Sequence, residues 1–307
     1  MGNPSSHLRK WFGKHLPTCR EVQKEFRESV RQQCIEPPPG LAYGTLGSAY
    51  EYLVRYALNP GATSDLAILG AEIARMEAGL KRGEADWSDF GRQLHEEAAC
   101  LARDLGISDG RARSMARMAD ISWTLALLTE LTRDVGLRQS PLRVLLTNPP
   151  RAWSDFTGLM SGAAGEDLDK LDRVGREKLL PFLKSRGAPV VVGPSLDGPL
   201  AADCDLIVGR TLVEIKAIIG GRKTDGTPRH GLRQPLLYQV VGYALLAYEQ
   251  YEINEVALFN ARYGHLAVWP LDELLCQLAG RRVSTKMIAR ELISYLEESY
   301  PRGNWAA

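Results

Sequence analysis

Ala202-Asp-Cys-Asp-Leu-Ile-Val-Gly-Arg-Thr-Leu-Val-Glu-Ile-Lys-Ala217 is the stretch on which the fold turns. Two β-rich runs, residues 203–208 and 211–217, flank the pair Gly209-Arg210. A Gly-X pair between such runs predicts a two-residue hairpin, with glycine supplying positive φ at the first turn position. That turn sets Val208 opposite Thr211, Asp205 opposite Glu214 and Asp203 opposite Lys216. Opposed residues on antiparallel strands have Cβ atoms about 5 Å apart, and alternate residues share a face. Asp203, Asp205, Glu214 and Lys216 therefore line one face of a hairpin otherwise filled by Leu206, Val208 and Leu212. Carboxylates gathered on an apolar hairpin repel one another unless positive charge lies between them. A divalent cation bound by oxygen ligands answers that need.

Outward from the hairpin the chain keeps an α/β pattern. Residues 189–192 form a short β run before it. Residues 218–233 form a Gly-rich loop in which Arg222, Lys223, Arg229 and Arg233 outweigh Asp225. Positive charge leaving the end of a carboxylate-bearing strand suits a phosphate backbone; an ordinary solvated loop is the plainer alternative. Gln234-Pro235 then opens a helix, proline being favoured in the first turn. Residues 236–251 are apolar nearly all round, which marks a buried helix. Gln239 and Tyr243, four apart, stack on one of its faces. A buried amide needs a partner: a carboxylate, Lys216, a ligand or nearby backbone. Residues 255–260 and 265–269 predict a second strand pair turning at 262–264. Ser284 caps a last helix over 285–299, ended by Pro301.

Toward the N-terminus, a helix over 45–58 carries the apolar stripe Leu46, Tyr50, Leu53 and Ala57. Glu51 lies beside that stripe, either in a site or in an i,i+4 ion pair with Arg55. Residues 64–186 are helical nearly throughout, with helices expected at 64–81, 87–105, 109–135 and 167–184. His95 and the stripe from Trp123 to Leu131 read as packing. Residues 1–35 are basic, with Arg9, Lys10, Lys14, Arg20, Lys24, Arg27 and Arg31. A helix over 18–34 there is a solvated arm, a docking helix or a phosphate contact.

Asp205, then Glu214-Ile215-Lys216 about nine residues later, resembles the PD-(D/E)xK nuclease superfamily. Gln239-Val-Val-Gly-Tyr243 resembles the Q-x-x-x-Y motif of its RecB-like branch, and Glu51 its first-helix glutamate. The resemblance covers about residues 41–60 and 188–270. It implies an α/β fold: a restriction-endonuclease-like core, a mixed sheet flanked by helices, with a large all-helical insertion. The corresponding division is a basic N-terminal arm or helix over 1–40 and a first core helix over 41–63. The insertion covers 64–187, and the core sheet and C-terminal helices cover 188–307. The resemblance further implies metal-dependent hydrolysis of phosphodiester bonds, in DNA rather than RNA, in repair or anti-phage defence. Asp205, Glu214 and the carbonyl of Ile215 would hold Mg²⁺ or Mn²⁺, with Glu51 as an outer or second-metal ligand. Lys216 would orient the attacking water, and Gln239 and Tyr243 would position Lys216 or the scissile strand. The role of Asp203 stays open. A catalytically inactive nucleic-acid-binding or scaffold subunit on this fold is the alternative, and a helical interaction protein with a chance motif the next.

Composition narrows the rest. A chain of 307 residues with 45 % hydrophobic content is ample for a globular core. A formal net charge of +1 excludes a globally basic nucleic-acid binder, so phosphate attraction must be local. Five scattered cysteines without a C-x-x-C pair favour reduced thiols and a cytoplasmic setting. Their positions also disfavour the iron–sulfur cluster found in some RecB-like relatives. There is no P-loop motif, no apolar core of a signal peptide and no run of about 18 apolar residues to span a membrane. Met1-Gly-x-x-x-Ser fits a myristoylation pattern in form only. Protein partners are expected to use the helical insertion or the N-terminal arm.

Overall fold

The computed structural model describes residues 6–30, 34–80, 87–104, 111–133, 136–196 and 202–300. Arg31, Pro301, the Met1-Gly-x-x-x-Ser pattern and the expected ends of helices at 81, 105, 109 and 135 lie outside them. In chain order the helices begin with α1 (His7–His15), α2 (Arg20–Glu28), α3 (Tyr43–Leu58) and α4 (Asp65–Glu77). Next come α5 (Trp87–Asp104), α6 (Arg111–Leu131) and α7 (Gly162–Val174), then a π-helical turn Gly175–Leu179 and α8 (Leu180–Arg186). Strands follow as β1 (Val190–Val192), β2 (Ser195–Leu196), β3 (Ala202–Asp203), β4 (Leu206–Val208) and β5 (Thr211–Lys216). Last are α9 (Gln234–Tyr251), β6 (Glu255–Asn260), β7 (His265–Pro270), α10 (Leu271–Ala279) and α11 (Thr285–Ser299).

The chain divides into two compact units, residues 1–34 with 177–307, and residues 35–176. The first is mixed α/β, built on a five-stranded sheet of order β1-β4-β5-β6-β7. Neighbouring strands are antiparallel except β5 and β6, the parallel pair that α9 connects. A parallel pair needs such a crossover, and the helix packs back on the sheet it joins. Leu212, Val256 and Leu258 of the sheet share one apolar core with Leu237, Val241 and Leu245 of α9.

The same core takes in the N-terminal helices. Trp11, Phe12, Leu16, Val22 and Phe26 are buried in it. Phe12 stacks on Tyr238 at 4.8 Å between ring centroids, and the Tyr238 hydroxyl donates to the Leu16 carbonyl at 2.9 Å. The Thr18 N–H donates to Leu278 O, and Gln23 Nε2 to Leu232 O, each at 2.9 Å. Burying a Phe-sized side chain contributes about 1.5–3 kcal/mol, so this set of aromatic and aliphatic residues holds the segment firmly. Residues 7–28 are thus two docked helices where one helix over 18–34 is expected from sequence, and not a solvated arm.

The second unit is all-helical, α3 to α7, and α3 (within 41–63) clusters with these helices. Gly70 of α4 sets its spacing from α6: a Cβ there would lie 1.8 Å from the Leu128 carbonyl oxygen, so only glycine allows this approach. Three pairs of polar side chains meet inside it: Tyr52 Oη lies 2.8 Å from Thr129 Oγ1, Thr45 Oγ1 donates to Glu130 at 2.6 Å, and Tyr56 Oη lies 2.8 Å from His95 Nδ1. His95 and the Trp123–Leu131 stripe are packing residues, as the sequence suggests. No described helix is long and apolar enough to cross a membrane.

Candidate metal centre

The hairpin turns at Gly209-Arg210, and β4 pairs with β5 as Val208↔Thr211, Ile207↔Leu212 and Leu206↔Val213. Gly209 has φ +59°, and a Cβ there would lie 2.5 Å from the Arg186 carbonyl, which makes glycine necessary twice over. The ladder stops one residue short of Asp205. The chain there pairs elsewhere: Gly193 N–H donates to Asp205 O at 2.9 Å, and β3 pairs with β2 as Ser195↔Asp203. Asp203 therefore belongs to a separate two-stranded ladder and does not face Lys216 across β4–β5. One continuous strand over 203–208 is the expectation this corrects. Residues 193–196 continue the β1 side of this strand, and the Cys204 N–H, which alternation would turn to β5, donates to Pro194 O at 3.4 Å instead.

Released from the ladder, Asp205 turns its carboxylate onto the hairpin. Its Oδ2 accepts the Ile215 N–H at 2.6 Å and stands 3.9 Å from Lys216 Nζ. Glu214 Oε1 forms a close ion pair with the same ammonium. Glu214 and Lys216 share a strand face because they are two apart. Asp205 and Glu214 are 8 % and 1 % exposed, and two acids so deep in an apolar sheet need positive charge beside them. Lys216 supplies it. The donor set also suits a hard divalent cation: two carboxylates and the neighbouring Ile215 carbonyl are oxygen ligands, and Mg²⁺ commonly takes one or two carboxylates with water and phosphate. Among the described residues no group of three or more His, Cys, Asp or Glu side chains is placed to hold an ion. A cation here would therefore rest on this pair of acids.

Helix α9 crosses β5 and carries Gln239 and Tyr243 to the acids. Gln239 Nε2 donates to Tyr243 Oη at 3.0 Å. Burial pushes the Tyr243 phenol up to about 12, with the charge of Glu214 next and those of Asp203 and Asp205 adding to it, against the Gln239 bond. The phenol stays protonated and can donate to an anionic oxygen. Gln239, Tyr243, Asp205, Glu214 and Lys216 are thus brought together. Glu51 stands on α3 of the helical unit, ion-paired with Arg55, the i,i+4 arrangement that its sequence spacing allows.

The loop after β5 is folded on itself. Arg222 bridges Pro228, its Nη1 donates to Gly226 O at 2.8 Å, and Arg229 N–H donates to Gly221 O at 2.7 Å. Asp225 is engaged by the Thr227 hydroxyl and N–H, which hold its carboxyl below the usual range. Arg222, Lys223, Arg229 and Arg233 all occupy exposed positions.

Several residues that sequence reasoning passes over hold this loop and strand end. Lys216, Asn260 and His265 sit on one rung across β5, β6 and β7. Asn260 donates to Ile218 O at 3.0 Å, and buried Arg262 to Ala217 O at 3.4 Å, fixing the backbone just beyond Lys216. His230 Nε2 meets His265 Nδ1 at 2.9 Å, and His265 Nε2 meets Ser29 Oγ at 2.8 Å, with Phe26 and Tyr263 rings against the pair. Asn260 also accepts the Arg262 N–H at 3.2 Å, the local Asx turn that an asparagine at a strand end signals. The histidines lie 35 positions apart and have no such local signal.

This histidine pair is expected to make the fold acid-labile. Burial lowers His230 to about 4, with His265 adding to the shift, and burial lowers His265 too. Folded pKa values below the ordinary 6.5 mean that the unfolded chain takes up protons first as pH falls. The pair's contribution to stability is expected to be full above about pH 6.5 and to decline toward pH 4. Melting temperatures of wild type and His230→Phe between about pH 7.5 and 4.5 check this. The variant is expected to lose part of the acid decline, and identical pH profiles would remove the pair as its source. Comparison of the chain with protein-family models, with curated proteins and with solved structures finds no match.

Proposed function

We propose that this protein is a divalent-metal-dependent nuclease of PD-(D/E)xK type, RecB-like in its Gln239/Tyr243 motif, that hydrolyses phosphodiester bonds in DNA. The observation that carries this reading is the convergence of Asp205 and Glu214 on Lys216, with Tyr243 in their field. Asp205, Glu214 and the Ile215 carbonyl would hold Mg²⁺ or Mn²⁺. Such an ion, when bound, lowers the pKa of a coordinated water and neutralises phosphate oxygens.

The chain's own residues supply the rest. The Ile215 N–H fixes the Asp205 carboxylate, so one ligand is oriented before anything binds. Lys216, on the same face, presents an ammonium that orients the nucleophile and stabilises negative charge developing on the phosphate. Tyr243, protonated and aligned by Gln239, donates to an anionic oxygen at the same point. The cations at 222, 223, 229 and 233 sit on the loop that leaves the catalytic strand, where a phosphate backbone would run.

The test is cleavage of linear, circular and single-stranded DNA with Mg²⁺, with Mn²⁺ and with EDTA. Cleavage with either ion, abolished by EDTA and restored by excess metal, is expected. DNA binding without cleavage under every condition would sink the enzyme reading and leave a nucleic-acid-binding subunit.

A further inference from the structure

The helical unit contains a hollow of about 570 Å³ that the nuclease reading does not use. Its floor is apolar, made by Leu53 of α3, by Met115, Ala116 and Ala119 of α6, and by Met160 and Leu168. Its polar wall is one face of α7 and the turn after it, carrying Asp169, Asp172, Arg173 and Arg176. A smaller hollow of about 170 Å³ shares Leu53, Met115, Asp172 and Arg176 with it. Small-molecule sites are typically hollows of about 300–1,000 Å³, apolar with a few convergent polar groups. Methionine lines such sites well because its thioether adapts to the shape offered.

One hydrogen-bond donor on this wall, and one buried beside it, lack an oxygen acceptor among the described residues. Arg176 gives its Nε to Asp172 at 2.6 Å, but its Nη2 points at the sulfur of Met115, 3.7 Å away. A thioether is a weak acceptor, so part of the guanidinium fork is underused. Tyr50 is fully buried, and its hydroxyl has no hydrogen-bond partner. Its electrostatic neighbours are Asp172 and Arg176, and burial holds it protonated. A buried donor left unmade costs about 1–3 kcal/mol, so such groups call for an explanation. The backbone bears the mark of this arrangement. A Cβ at Gly175, the first residue of the π-helical turn, would lie 2.3 Å from Tyr50 Oη. π-Helical turns gather at functional sites.

We propose that this hollow is a binding site for a small apolar carboxylate, such as a medium-length acyl chain, whose body lies on Leu53, Met115, Ala119 and Met160 and whose carboxylate takes the second edge of Arg176. Asp172 keeps the Nε edge, and the N–H groups of the second edge take the incoming carboxylate, so one guanidinium bridges two carboxylates. A cationic amphiphile gains nothing from these donors.

The probe is decanoate, added to the full chain with ¹³C-methyl-labelled methionine, with decan-1-ol and decyltrimethylammonium alongside. Saturable shifts at Met115 and Met160 are expected with decanoate, which binds about tenfold more tightly than the alcohol, a difference of about 1.4 kcal/mol. Arg176→Met should equalise the acid and the alcohol. Ala119→Phe should fill the hollow and abolish the shifts. Should that variant not fold, Gly165→Val serves, because its Cβ would lie only 3.1 Å from the flexible end of Met160. No saturable shift at these two methionines, equal binding of the cation, or shifts that persist in the filled variant would each overturn the proposal. So would a response to an amphipathic helical peptide with none to decanoate, which would make the hollow a protein-docking groove.

Discussion

Asp205→Asn and Glu214→Gln are each expected to lower metal-dependent DNA cleavage by about three orders of magnitude or more, a loss of about 4 kcal/mol in transition-state stabilisation. Both substitutions keep shape and remove charge. An asparagine in place of Asp205 would still accept the Ile215 N–H through its amide oxygen, so the geometry beside β5 has no reason to collapse. What disappears is half of the negative charge available to a divalent cation. Mn²⁺ affinity, followed by electron paramagnetic resonance of the free ion, should fall together with cleavage. Lys216→Met separates the two readouts. Its ammonium stands against both acids and offsets one of their two charges, so ion and lysine compete for the same oxygens. Mn²⁺ should then bind as well as in wild type or better, while cleavage falls by about 10²–10³ because the stabilising donor is gone. Undiminished cleavage in all three variants would place any activity away from this hairpin.

The separation of those roles rests on geometry that is largely open to sequence reasoning. A Gly-X pair fixes the turn, a turn fixes the register, and alternation puts Glu214 and Lys216 on one face; each step is local. The helix with Gln239 and Tyr243, the strand pair after it and the last helix are legible for the same reason. What is not legible depends on choices between distant partners. The strand break at Cys204-Asp205 goes with the Cys204 N–H turning to Pro194 O on the β1 side of the strand. No spacing within 203–208 announces that. Charge misleads at the N-terminus: the run of cations there hides Trp11, Phe12, Leu16, Val22 and Phe26, few in number but enough to dock two helices. Helix α10 is absent from the sequence-based reading although Leu271, Leu274, Leu275 and Leu278 have helical spacing and are all buried. The histidine pair needs the loop to fold back on β7 before its two rings can meet.

The loop that carries His230 sets the second large effect, on how a chain of net charge +1 holds a polyanion. Lys223→Ala, Arg229→Ala and Arg233→Ala together should lower DNA affinity by about two orders of magnitude at about 0.15 M salt. Each phosphate neutralised contributes about 0.9 to the slope of log K against log salt, a factor of about five at that concentration. The slope should flatten by about 2.7 once three phosphates go unneutralised. The weakening should be uniform across sequences, because phosphate contacts carry no base information. Arg222 is left in place because its side chain also props the turn at Gly226. The loop fold should survive the triple change, since its closure uses backbone groups of Gly221, Lys223, Thr227 and Arg229. Gly220→Ala is the complementary variant, with all charges kept. A Cβ at residue 220 would lie 1.8 Å from the Arg229 carbonyl oxygen, so the loop must open. If cation placement and not mere charge holds the strand, this variant also loses affinity, but with a smaller change in salt slope. An unchanged affinity and slope in the triple variant would move the nucleic-acid surface off this loop.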